Sequence, residues 1–277
     1  MNSDKLKSIC KKLVNQTNIS FNTILKYYFM LGISEKISKN KDKINIIFKG
    51  GFLLSNIIGI KERTTKDIDY LLNNIVFLPD RIRELFEDIL DYKKGDEIHF
   101  QIQKINEIKK KEKYTGFRIT VECKLDEIVE IIKTDVATGD IITPCQVIYN
   151  IENIFHNNSF CVYGYNLETI LAEKIHAIKE LSLFNTRTKD FYDIYLIYNL
   201  KKDDIDYMIL KNACINTFRQ RNSVFNKDDL LELLNKIKSS QSTQNLWAKQ
   251  KNIYFYNKNI DFKFIIQSII ELTKNIK

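Results

Sequence analysis

The sequence predicts an α+β chain: a mixed sheet flanked by helices over residues 1–155, then a mainly helical domain over residues 156–277. Three observations support this. Apolar residues recur at helical spacing over residues 4–38 and through the C-terminal part of the chain, while Glu97–Val136 alternates or runs apolar at strand spacing. With 277 residues the chain is long enough to bury a full core. With 2 prolines and 8 glycines it has little material for long structureless connections.

The elements follow in order. Leu6, Ile9 and Leu13, then Ile24, Tyr27, Tyr28 and Leu31, mark two helices separated near Thr17–Ser20, with Ser20 as the N-cap of the second. "INIIF" (Ile44–Phe48) is a short apolar run ending at Gly50-Gly51, hence a buried strand. "FLLSNIIG" continues as a helix closed by Gly59. "DIDYLL" alternates polar and apolar and reads as a strand. Pro79–Tyr92 reads as a helix with proline in its first turn. "EIHFQIQKI", "GFRITVECKL" and "IVEIIKTDVAT" are strands. After Pro144 the short segments "CQVIYN" and "FCVYGY" lead into four stretches with apolar stripes at i, i+3 and i+4.

Composition narrows the function classes. No run approaches the ~18 uncharged apolar residues a membrane span needs, and "MNSDKLKSICKKLVNQ" has no apolar signal core. A cytoplasmic protein, monomeric and without a membrane partner, is expected. The five cysteines (Cys10, Cys123, Cys145, Cys161, Cys214) are scattered and never form Cys-x-x-Cys, and His99, His156 and His176 show no ligand spacing. All eight read as structural, which leaves no zinc site or disulfide framework. A net charge of +8 suits a nucleic-acid partner, although a bias toward Lys, Ile and Asn runs through the whole chain. The densest basic run, "KINEIKKKEKY" (Lys104–Tyr114), is either a solvated hairpin end or a salt-sensitive phosphate contact.

The chemistry concentrates in "FKGGFLLSNIIGIKERTTKDIDYLL" (Phe48–Leu72). Residues two apart on a strand face one side, so Asp67 and Asp69 project together. Two close carboxylates repel unless solvated or bridged by a cation, and magnesium suits a site of few carboxylates completed by water and phosphates. The alternative is an exposed strand with two solvated aspartates. Gly50 and Gly51 join a strand to a helix start, where backbone N–H groups and the helix dipole form an anion site; any tight turn would also use them. Asp135 ends the apolar run of "IVEIIKTDVATGD", which suits a core strand beside that of Asp67 and Asp69. Two metal ions about 4 Å apart on three carboxylates would serve in-line displacement at phosphorus. Otherwise Asp135 only begins the turn "ATGD".

These elements in this order resemble the polymerase-β-like nucleotidyltransferase superfamily, and within it the AbiEii/AbiGii abortive-infection toxins. The resemblance rests on Phe48–Leu72, on "KTDVATGD", and on "LETILAEKIHAIKELSLFNTRTKDFYDIYLI", and covers about residues 45–200. It implies a polymerase-β-like fold for the N-terminal domain. It also implies that Gly50 and Gly51 begin the phosphate loop, and that Asp67, Asp69 and Asp135 bind Mg2+ or Mn2+. Lys174 would contact the triphosphate of an NTP, with Arg187 a second cation for the nucleotide and Asp193 or Asp190 the downstream acid; Asp193 is preferred, since Asp190 can instead cap its helix. Lys174 lies on an apolar helix face beside Leu171, Ile175 and Ile178 and needs an anionic partner; a phosphate, Glu168 or Asp193 would serve. Where the superfamily places Ser or Thr after the glycines, this chain has Phe52, and Ser55, one turn on, is the nearest hydroxyl.

The resemblance further implies transfer of a nucleoside monophosphate to an acceptor hydroxyl with release of pyrophosphate. The acceptor would be the 3′ end of tRNA or another RNA, and an antitoxin would be encoded separately. The helical domain would complete the nucleotide site; it is either an acceptor-binding surface or a scaffold. Two alternatives stand beside this: transfer to a protein hydroxyl, and a catalytically silent fold that binds RNA or a partner.

Overall fold

A computed structural model describes residues 1–110, 114–250 and 260–276. The tip of the "KINEIKKKEKY" run, residues 111–113, lies outside the described residues. The chain divides into two compact units: one formed by residues 1–57, 64–139 and 147–164, the other by residues 58–63, 140–146 and 165–277.

The first unit opens with helix α1 (Ser3–Thr17), capped by the Asn2 side chain accepting from the Lys5 N–H. Helix α2 (Phe21–Lys39) follows, capped as the sequence predicts by Ser20, which accepts from the Thr23 N–H. Helix α2 is buried around much of its circumference, as expected of a helix with apolar residues on several faces. Then come β1 (Ile46–Lys49), α3 (Gly50–Ile58), β2 (Asp67–Leu72), α4 (Pro79–Leu90), β3 (His99–Lys110), β4 (Tyr114–Leu125), β5 (Ile128–Ala137), β6 (Val147–Asn153) and β7 (Asn158–Gly164).

Among the described residues the sheet has seven strands in the order β3-β4-β5-β2-β1-β7-β6. Strand β2 runs parallel to β5 and β1 parallel to β7; the other neighbours are antiparallel. The period of two sets the burial of β2 at its start and of much of β4 and β5. Ile68, Tyr70 and Leu72 of β2, Ile119, Val121 and Cys123 of β4, and Ile132 and Val136 of β5 are buried. Tyr70 meets Phe86 of α4 with ring centroids 6.0 Å apart. Their alternates Asp67, Asp69, Arg118, Lys133 and Asp135 are only partly buried or exposed. One face is therefore core, and the other carries the charges beside buried Ile47, Leu71 and Thr120.

The sheet extends to Gly164, past the boundary at residue 155 that the sequence suggests, because β7 pairs with β1 through Phe48 and Gly164. A Cβ at Gly164 would come within 2.9 Å of Leu53, so the missing side chain lets α3 lie close against β7.

The second unit is helical: α5 (Leu167–Leu181), α6 (Thr188–Leu200), α7 (Tyr207–Gln220), α8 (Lys227–Ser239), α9 (Gln241–Gln250) and α10 (Phe262–Asn275). Asn166, Asp206, Asn226 and Asp261 cap α5, α7, α8 and α10 through their side chains, each contributing about 1 kcal/mol. An aromatic cluster joins α6, α9 and α10. Phe262 meets Phe191 at 5.5 Å and Trp247 at 5.9 Å, and Trp247 meets Tyr192 at 5.9 Å. The indole N–H of Trp247 donates to the Ile260 carbonyl at 3.2 Å, which satisfies the one polar atom of an otherwise apolar ring. Among the described residues no helix is long and apolar enough to cross a membrane.

Candidate active site

Two charged clusters hold the residues singled out in the sequence, one in each unit. The first lies on the polar face of the sheet. Lys49 of β1 is the register partner of Asp69 of β2, Asp69 that of Asp135 of β5, and Asp135 that of Arg118 of β4. Partners across strands share a face, so the four form one row reading +, −, −, +. Asp67, two residues before Asp69, shares that face, and the Thr65 hydroxyl donates to its Oδ1 at 2.6 Å.

The glycine turn closes directly on this row. Gly50 has φ +66, the left-handed region, and a Cβ built there would lie 2.0 Å from Asp69 Oδ2. Only glycine meets both conditions without displacing the carboxylate. The strand end, the N-terminus of α3 and Asp69 thus meet at one point, while Gly51 continues into the first turn of α3.

Arg118 alters the picture of three converging carboxylates. Its Nε donates to Asp135 Oδ1 at 2.7 Å and its terminal nitrogen to Oδ2 at 2.8 Å. Both oxygens of Asp135 are thereby engaged toward β4, the neighbour on the side opposite Asp69. The hydrogen bond that Arg118 donates to Asp135 raises the guanidinium pKa beyond its usual value, and the charges of Asp135, Asp67 and Asp69 add to the effect. Among the described residues no group of three acidic, histidine or cysteine side chains converges closely enough to hold a metal ion. The register brings Asp69 and Asp135 side by side, but the side chains do not gather around a common centre. The chemistry of the donor set, hard carboxylate oxygens on one face of adjacent strands, is that which Mg2+ or Mn2+ takes.

Phe52 and Ser55 belong to the core. Phe52 is fully buried against Tyr27 and Phe48, with centroids 5.8 and 6.2 Å away. A small hydroxyl residue there would leave a cavity. Ser55, expected to assist the phosphate loop, is 1% exposed and its hydroxyl donates to the Phe52 carbonyl at 2.8 Å. It is spent on its own helix and is corrected to a structural residue.

The second cluster lies in the helical unit and is a chain of ion pairs. Arg63 Nε donates to Asp193 Oδ1 at 2.7 Å, and Lys174 Nζ donates to Asp193 Oδ2 at 2.6 Å and to Asp190 Oδ1 at 3.2 Å. Arg187 Nε stands 2.9 Å from Asp190 Oδ2. The Asp190 and Asp193 side chains are each 1% exposed, whereas Arg187 is 53% exposed. Burial alone would push the Asp193 carboxyl up, but Arg63 and Lys174 outweigh it and hold it at about 2. Burial alone would push Lys174 down, and the two aspartates outweigh it, holding the ammonium above its usual value. Three cations face two carboxylates, so the cluster keeps one positive charge in excess, with Arg187 at its exposed end. Lys174 finds its anionic partners within the protein, and Asp190 serves as an ion-pair partner rather than a helix cap.

Two residues escaped the sequence reading. Arg63, inside the turn "KERTTKD", looks like a solvated loop charge. Arg118, inside "GFRITVECKL", looks like an ordinary outward residue of an alternating strand. The one available signal was that Arg118 shares the parity of the polar face.

No curated protein sequence matches the chain. Two solved structures from Helicobacter pylori do. One, provisionally described as a nucleotidyltransferase, superposes with a TM-score of 0.54 at 12% identity, covering 93% of this chain and 96% of its own. The other, JHP933, gives a TM-score of 0.51 at 12% identity, covering 88% and 89%. At that identity the likeness is one of fold, over nearly the whole of each chain. The family model described as the nucleotidyl transferase AbiEii toxin of type IV toxin–antitoxin systems matches residues 33–268. That span takes in the glycine turn, the sheet carboxylates and the helical ion pairs, and the chain belongs to the AbiEii nucleotidyltransferase toxin family.

Proposed function

We propose that the protein transfers a nucleoside monophosphate from an NTP to an acceptor hydroxyl, with the 3′ end of tRNA as the acceptor. The acceptor oxygen bonds to the α-phosphorus, the bond from that phosphorus to the bridging oxygen breaks, and pyrophosphate leaves. The observation that carries this reading is the contact of Gly50 with the Asp69 carboxylate, which sets an anion-binding helix start against an acidic pair.

Asp67, Asp69 and Asp135 would hold Mg2+ or Mn2+, which supplies activation of the hydroxyl and screening of charge on the phosphoryl oxygens. The backbone N–H groups at the start of α3, from Gly50 and Gly51, orient a phosphate. Lys174 and Arg187 are the cations assigned to the triphosphate, and within the helical unit Asp193, shared with Arg63, holds Lys174 in position. The net charge of +8 favours a polyanionic acceptor. A separately encoded antitoxin, as the family's type IV systems imply, would restrain the activity in the cell.

A second reading, a catalytically silent fold that binds RNA or a partner, draws on the Arg118–Asp135 pair, which occupies the third carboxylate. Incubating the protein with each α-labelled NTP, Mg2+ and cell extract, followed by phenol partition, separates the readings. Label in the RNA fraction is expected. Label in the protein fraction would move the acceptor to a protein hydroxyl, and no label in either with any NTP would favour the silent fold. Within the same assay, Lys174→Ala should raise the NTP concentration needed for half-maximal labelling about tenfold, the loss of one charge-assisted phosphate contact.

A further inference from the structure

We propose that Arg118 and a divalent cation compete for Asp135, so that Arg118 latches the third carboxylate of the site and must release it before an ion is held by all three. The inference rests on the metal-binding reading of Asp67, Asp69 and Asp135 given above. It comes from the row of register partners across the sheet.

Arg118 grips Asp135 through two parallel N–H···O bonds of 2.7 and 2.8 Å, the fork geometry that a guanidinium makes and an ammonium does not. No lone pair of Asp135 directed toward β4 is left for another ligand, and the carboxylate is drawn to the side opposite Asp69. The two partners differ in mobility. Asp135 is 14% exposed and sits on a central strand, while Arg118 is 40% exposed at the end of a long side chain. Swinging the guanidinium into water is therefore cheap, because partly exposed pairs hold weakly. In its own row Arg118 faces Asn106 of β3 on its other side, a neutral residue. Once released, it finds no carboxylate on its β3 side in that row, and its five donors stand beside the acidic face where phosphate oxygens would gather.

A purely structural salt bridge and a competing latch predict opposite signs. Binding of Mn2+ to the full-length chain, followed by the electron paramagnetic resonance signal of free Mn2+, reads the difference. Arg118→Gln, which keeps polarity and length without charge, should bind Mn2+ about fivefold more tightly than the parent, the release of a pair of about 1 kcal/mol. Arg118→Lys should fall between the two, since charge remains but the fork is lost. Circular dichroism melts of each variant establish that the fold persists. Mn2+ affinity in Arg118→Gln equal to or weaker than that of the parent overturns the latch while leaving the carboxylate site standing. If parent, Arg118→Gln and Asp69→Ala all bind alike, the three-carboxylate site is itself wrong and the latch falls with it.

Discussion

The two charged clusters obey opposite rules. In the helical unit every charge of the Arg63–Asp193–Lys174–Asp190–Arg187 chain meets an opposite one, and both carboxylates are almost wholly out of water. On the sheet, Asp67, Asp69 and Asp135 lie on one partly exposed face between Lys49 and Arg118, three like charges on adjacent strands, and Gly50 is pressed against Asp69. Buried pairs are costly to break because each partner is left uncompensated; half-exposed like charges are costly to keep and cheap to alter. Loss of a carboxylate is therefore expected to cost chiefly stability in the helical unit and chiefly activity on the sheet.

The largest test of that division is Asp69→Ala. Removing it should lower nucleotidyl transfer by a factor of about 1,000 or more, the several kcal/mol associated with a metal-held transition state. Its urea unfolding midpoint should stay near that of the parent. A variant that transfers label normally would break the comparison at its active end.

Asp193→Ala is the mirror experiment. It removes the acid that Arg63 and Lys174 share and leaves Lys174 with Asp190, which Arg187 also holds, and unfolding stability should drop by about 3–5 kcal/mol. A loss under 1 kcal/mol in denaturant titration would show that this cluster is not the structural one.

Gly50→Ala tests the point where glycine and carboxylate touch. The left-handed backbone costs about 1–2 kcal/mol, and the clash with Asp69 about 1–3 kcal/mol more. Placed in an Asp69→Ala background, the same substitution should cost only the backbone part. Equal costs in both backgrounds would mean that the carboxylate moves aside freely.

The smallest effect expected is acid sensitivity. The Asp193 carboxyl sits at about 2 in the folded chain against an ordinary 3.8. A depressed carboxylate contributes stability above its unfolded value and loses it as pH falls toward the folded one. About 2 kcal/mol should thus disappear between pH 5 and pH 2. The raised Lys174 works in the other direction, its contribution lasting through neutral pH and fading only under strong alkali. A melting temperature that stays flat from pH 5 to pH 2 would contradict the pairing.

How much of this could be read in the sequence depended on range. The alternation of "DIDYLL" fixes which residues share a face, because period two is local. Likewise the glycine pair after "INIIF" marks a strand-to-helix turn. The docking of β7 beside β1 could not be seen, since it links Phe48 to Gly164 across most of the sheet unit. Arg118 was hidden for the same reason: an arginine on an outward strand position is unremarkable until β4 is known to lie beside β5. Ser55 failed differently. Helical spacing put it one turn from the glycines, but a hydroxyl on a buried helix face bonds back to its own carbonyls.

The chain has a single tryptophan, Trp247, 3% exposed within the aromatic cluster of the helical unit. Its fluorescence is accordingly a private reporter. A red shift of emission records water reaching α6, α9 and α10, and the sheet with its carboxylates stays spectroscopically dark. A sheet that loosens first would register in far-ultraviolet dichroism before any change in emission colour, so paired recordings on one sample tell which half of the molecule yields.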